Sequence, residues 1–110
     1  MRGQLLTRFG VQHHPQFGTV VYRRGIDIAA RVGDEVRVVH DGQVVYADWY
    51  KGYGRLIIVD HGEGLYSLYG HLSQADVTGG DRVSRGQVVG LAGDTGSLKG
   101  SKLYFEIRRN

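Results

Sequence analysis

Residues 101–108 read Ser101-Lys102-Leu103-Tyr104-Phe105-Glu106-Ile107-Arg108. Leu103, Phe105 and Ile107 alternate with Lys102, Tyr104, Glu106 and Arg108, the two-residue period of a strand with one face on a core. Upstream, short Val/Ile/Tyr runs are punctuated by Gly and Asp, and no segment sustains a helical period. The 18 glycines, against one proline, fit many tight turns in an all-β chain. At 110 residues the chain is long enough for one modest core. We read a single domain over 1–110, with a loop-rich opening segment over 1–22 and a β core over 23–110.

Two segments resemble each other. Gly33-Asp34-Glu35-Val36 followed by Gly42-Gln43-Val44-Val45 echoes Gly80-Asp81-Arg82-Val83 followed by Gly86-Gln87-Val88-Val89. Between them, residues 42–49, 55–61 and 65–72 read as a meander, with Gly52-Tyr53-Gly54 and Gly62-Glu63-Gly64 at its turns. A repeated strand motif of this kind predicts a compact antiparallel sandwich or barrel. The expected core is Val44, Leu56, Ile58, Leu68, Val83, Val89, Leu103, Phe105 and Ile107, with Leu56 also a candidate for lining a groove.

Composition narrows the function. The formal charge is +3, but no basic run is interleaved with aromatics, so nucleic acid is not an expected partner. With no cysteine, neither a disulfide framework nor a thiolate metal site is available. No apolar stretch approaches membrane-spanning length, and the N-terminus lacks the apolar core of a signal peptide. If exported, the chain is part of a longer precursor.

Several motifs, taken in order, resemble the lysostaphin/LytM-type cell-wall peptidases. Phe9-Gly10, His14-Pro15 and Gly18 resemble the opening loop of that family. Arg24-Gly25-Ile26-Asp27-Ile28-Ala29-Ala30 resembles its first metal strand, normally His-x-Gly-Ile-Asp-Ile-Ala-Ala. Leu68-Tyr69-Gly70-His71-Leu72 resembles its Tyr-x-His-Leu segment, and the final strand resembles His-Leu-His-Phe-Glu-Ile-Arg. With Gly52-Tyr53-Gly54 and Asp60-His61-Gly62, the match spans nearly the whole sequence. It implies a barrel-sandwich hybrid of the LytM peptidase type with an open groove.

The resemblance also implies a damaged site. The family's zinc is held by a His four residues before the Asp, by that Asp, and by the second His of the final strand. Here those positions carry Arg23, Asp27 and Tyr104, and Lys102 replaces the general base. His71 matches a further catalytic His. A hydrolytic zinc site needs three protein ligands and an open position, and Arg and neutral Tyr are poor substitutes. No metal or other cofactor is therefore expected. His13 and His14 are adjacent, so only one would normally point toward such a site. Lys102 or Arg23 is expected to neutralise Asp27 where zinc once did.

Within the degenerate members, Ala47-Asp48-Trp49, Ser67-Leu68-Tyr69-Gly70 and Leu103-Tyr104-Phe105-Glu106-Ile107-Arg108-Arg109 are most similar to the EnvC-type murein hydrolase activators. Retention of Asp27 and His71 departs from that group. The similarity implies a periplasmic or cell-envelope protein that activates a zinc-dependent N-acetylmuramoyl-L-alanine amidase during wall remodelling and division. Its partner groove would include Arg24, Asp27, Leu56, Tyr69, His71, Lys102, Tyr104 and Arg108. The alternatives are a zinc-dependent peptidoglycan endopeptidase using Asp27 and His71, and a passive peptidoglycan-binding module using the same groove.

Overall fold

The computed structural model describes residues 4–5, 10–14, 19–23, 25–97 and 100–109, with side chains described from residue 25 onward. Among these there are strands and turns but no helix. The strands are β1 (Gln4–Leu5), β2 (Gly10–His14), β3 (Thr19–Arg23), β4 (Gly25–Ala29), β5 (Glu35–Arg37), β6 (Gly42–Tyr50), β7 (Gly54–Asp60), β8 (Leu65–Ala75), β9 (Arg82–Val83), β10 (Val88–Ala92) and β11 (Lys102–Arg109). The main sheet runs β1-β4-β11-β8-β7-β6-β9, and β10 joins β8 to β5; all pairings are antiparallel and the sheet is not closed. Part of the segment expected to be loop is strand. Gly10–His14 pairs with Thr19–Arg23 as a separate two-stranded sheet, the β-branched Thr19-Val20-Val21 run favouring extended backbone.

The sequence repeat folds by exchanging partners. β9 pairs with β6 through Gly42↔Val83 and Gln43↔Arg82, while β10 pairs with β5 through Val88↔Arg37 and Gly90↔Val36. Its two Gly-Asp turns are built alike. Asp34 Oδ2 accepts the Arg31 N–H at 2.9 Å, and Asp81 Oδ2 accepts the Thr78 N–H at 2.9 Å. Val36, Val38, Val44, Val83 and Val89 thereby close over Ile28, Ile57, Val59, Tyr69 and Leu103 to form the core. Leu56 and Leu68 are also buried, but outside that central cluster, because they alternate with Ile57 and Tyr69 and so face the other side of the sheet. Ile58 and Ile107 are only half-buried.

Two sequence-based groove assignments are corrected here. Tyr69 is fully buried in the core, cross-strand from Ile57 and Phe105. Its hydroxyl lies 2.8 Å from Ser67 Oγ and accepts the Val39 N–H at 3.2 Å, while Ser67 Oγ meets His61 Nε2 at 2.6 Å. That chain satisfies the polar end of the ring and lets tyrosine occupy a dry position. Leu56 is on the groove side of β7 but only 1% exposed, so it offers a partner no surface.

Candidate functional site

The site is the outward face of β4, β11, β8 and β7. In β11, Leu103 pairs with Ile28 and turns inward, so Lys102, Tyr104, Glu106 and Arg108 turn outward. Asp27, cross-strand from Tyr104, shares that face. His71 reaches it by a different route. The β7/β8 register shifts between Arg55↔Leu72 and Ile57↔Tyr69, leaving Gly70 and His71 opposite Leu56, and His71 has φ 62°. Such a bulge re-aims a side chain, at some cost in backbone strain for a non-glycine residue.

The structure brings Asp27, His71, Lys102 and Tyr104 together. Lys102 Nζ is 3.3 Å from Asp27 Oδ2, and the two side chains are 15% and 13% exposed. His71 Nδ1 is 2.8 Å from the Thr95 carbonyl. A carbonyl only accepts, so Nδ1 carries the proton and Nε2 keeps its lone pair. Burial holds the imidazole below its ordinary pKa; the Thr95 bond opposes this, Lys102 adds to it and Asp27 opposes it. The His71 and Tyr104 rings meet edge-on at 6.4 Å.

Tyr104 is turned to another task. Its ring lies over Gly25, where a Cβ would collide with it, and its hydroxyl donates to Glu106 Oε1 at 2.7 Å. Glu106 is 1% exposed and also accepts Arg108 Nε at 2.9 Å and Nη2 at 2.8 Å on Oε2. Burial works against the Arg108 charge, yet the hydrogen bond and charge of Glu106, helped by Tyr53, hold the guanidinium above its ordinary pKa. From Tyr104 a run of rings leads to Tyr53 at 5.4 Å, then Tyr50 at 5.8 Å, then Tyr46 at 6.0 Å. These separations favour tilted aromatic contacts.

This donor set does not fit a zinc ion. Among the described residues no group of three or more His, Cys, Asp or Glu is placed to hold a metal. An ammonium lies against the Asp27 carboxylate, and the Tyr104 hydroxyl is committed to Glu106. The side chains of Arg23, His13 and His14, and the whole of Arg24, lie outside the described residues. Tyr53 and Glu106 were legible as parts of motifs matching the family, but not as members of this face. Thr95 was not singled out, because it contributes through a backbone carbonyl that residue identity does not encode.

Residues 21–110 match Peptidase family M23. The chain belongs to that family. The chain is 41% identical over 109 residues to the murein hydrolase activator EnvC of Escherichia coli K12, covering 99% of this chain and 25% of EnvC. It is 37% identical over 102 residues to the DD-carboxypeptidase/endopeptidase Mpg of Neisseria meningitidis, covering 93% of this chain and 24% of Mpg. A zinc-containing peptidase from Vibrio cholerae superposes with a TM-score of 0.86 at 33% identity, over 97% of this chain and 33% of that one. The chain thus spans about a quarter of the length of these two curated relatives.

Proposed function

We propose that this M23 domain is catalytically inactive and binds and activates a zinc-dependent N-acetylmuramoyl-L-alanine amidase in the cell envelope, as a single domain of a longer exported protein. The observation that carries the reading is the pairing of Lys102 with Asp27 while Tyr104 donates to Glu106. Two positions of a family zinc site are thereby spent on holding the face together. The similarity to EnvC supplies the direction.

Hydrolysis would need a metal-activated water and a neutral base. Here a lysine stands at the base position, its Nζ set against the Asp27 carboxylate at 3.3 Å. What remains is an oriented face of tyrosine and arginine, the residue types that dominate binding hot spots. Tyr53, Tyr104 and Arg108 are the contact residues, held in place by Glu106. Tyr69 and Leu56 serve it from within the fold. Activation then follows from differential affinity. The face binds the amidase state whose zinc cleft is open more tightly than the closed state, and the population moves accordingly.

Dye release from labelled sacculi tests this. The domain and a purified zinc amidase together are expected to release dye where neither does alone, and Arg108→Glu is expected to abolish the gain. Release by the domain alone, lost on adding a chelator, would overturn the reading in favour of an endopeptidase. Retention on sacculi with no effect on any amidase would overturn it in favour of a wall-binding module.

A further inference from the structure

Two bulges interrupt the central strands, and both deliver a side chain to the same outward face. One is the Gly70–His71 bulge in β8. The other is in β6, where the register shifts between Val44↔Val59 and Tyr46↔Ile58. Val44 stays in the core, but Val45, the extra residue, is 49% exposed. It joins Ile58, Tyr66, Leu68 and Arg108 around a cleft of about 260 Å³. Folding alone does not call for an aliphatic group there. A polar residue would meet water at an outward bulge without loss, whereas exposed valine forgoes the gain of burial.

The chemistry of the cleft is specific. Val45, Ile58 and Leu68 make it aliphatic, and Arg108 sets one cation at its rim, its side chain 40% exposed. Glu106 takes the Nε and Nη2 side of that guanidinium, with Tyr53 also bonded to it, so the fork is fixed in direction at the rim of the cleft. A fixed fork suits a carboxylate. The volume lies below the roughly 300–1,000 Å³ usual for small-molecule sites. It suits one or two amino-acid side chains.

The geometry points to a subsite that receives one leucine-sized aliphatic side chain of a protein partner, with a neighbouring carboxylate of the same segment on Arg108. This rests on the reading of the face as a protein-binding surface, and it names what the partner must present. A murein stem peptide offers carboxylates but only methyl-sized apolar side chains, so the cleft distinguishes a protein segment from the wall itself.

Two measurements separate the subsite from the function. In a methyl-detected NMR titration, N-acetyl-leucyl-glutamate amide is expected to shift the Val45, Ile58 and Leu68 methyls and the Arg108 Nε–H. The seryl-glutamate analogue, and the leucyl compound added to Val45→Asp, are expected to leave them in place. Absence of those shifts with the leucyl compound overturns the subsite, whatever any amidase assay gives. In the dye-release assay, Val45→Asp is expected to fold as the parent does and to need at least tenfold more domain for half-maximal activation. An unchanged requirement overturns the subsite and leaves the activator reading standing. A parent domain that activates no amidase sinks the activator reading, and the dipeptide titration then decides the cleft by itself.

Discussion

Two carboxylates on one sheet face meet opposite fates. Glu106 is almost fully buried and accepts three hydrogen bonds from Tyr104 and Arg108, all at 2.7–2.9 Å. Asp27 sits across β4/β11 with Lys102 at 3.3 Å, both side chains slightly open to solvent. The first is a framework cluster, with geometry tight enough to offset desolvation. The second is looser, with a cation on a flexible stem set against the carboxylate. The contrast shows two ways in which one sheet face of an M23 domain holds a carboxylate. Tyr104 belongs to the Glu106 cluster through its hydroxyl, and Lys102 lies against the Asp27 carboxylate.

The largest effect should come from the framework. Glu106→Ala takes the shared acceptor from Arg108 and the Tyr104 hydroxyl and empties a buried position, an expected loss of about 2–4 kcal/mol in urea unfolding. A loss comparable to that of an exposed residue would erase the distinction between the clusters. Gly25→Ala should follow, at about 1–3 kcal/mol, because the new methyl meets both the Tyr104 ring and the Phe105 carbonyl. A variant that unfolds with the parent would mean that the ring and the β4/β11 backbone both yield, and that Tyr104 is not locked. Lys102→Ala should cost about 1–2 kcal/mol, as it takes the ammonium away from a shielded carboxylate. An exposed lysine change usually stays within about 0.5 kcal/mol, and a result in that range would mean that Lys102 does not stand in for the metal.

The smallest effect concerns pH. Burial lowers the His71 pKa in the folded state, so its contribution is fully present above the unfolded value of about 6.5 and is lost as pH falls from there toward the folded pKa. Over that window the unfolded chain takes up a proton that the folded domain refuses. Urea midpoints should therefore drop on acidification, and His71→Asn, which tolerates the positive φ, should flatten the drop. A parent and variant with parallel pH profiles would remove His71 as the group responsible.

Much of this was legible in the residues. The alternation in 102–109 gives β11 and its two faces, and the repeated Gly-Asp and Gln-Val-Val segments give the strands whose exchange builds the core. The same alternation puts Lys102 and Tyr104 on the outward face, where they meet Asp27 and His71. The placement of Tyr69 was not legible. Tyr69 and His71 are two apart, and an unbroken strand would set both on one face. The bulge at Gly70–His71 sends Tyr69 to the core and His71 to the groove side. In the same way Val45 gives no sign in sequence that it faces out beside Arg108, because its direction follows from a shift against β7.

The sequence by itself determined the strand composition and the family's ordered motifs, since each depends on residue identity and local spacing. Only the tertiary structure decided that Lys102 pairs with Asp27, that the Tyr104 hydroxyl goes to Glu106, and that two bulges aim His71 and Val45 at one face. Those outcomes depend on register between strands distant in the chain. A one-residue shift reverses which face a side chain serves without changing any residue.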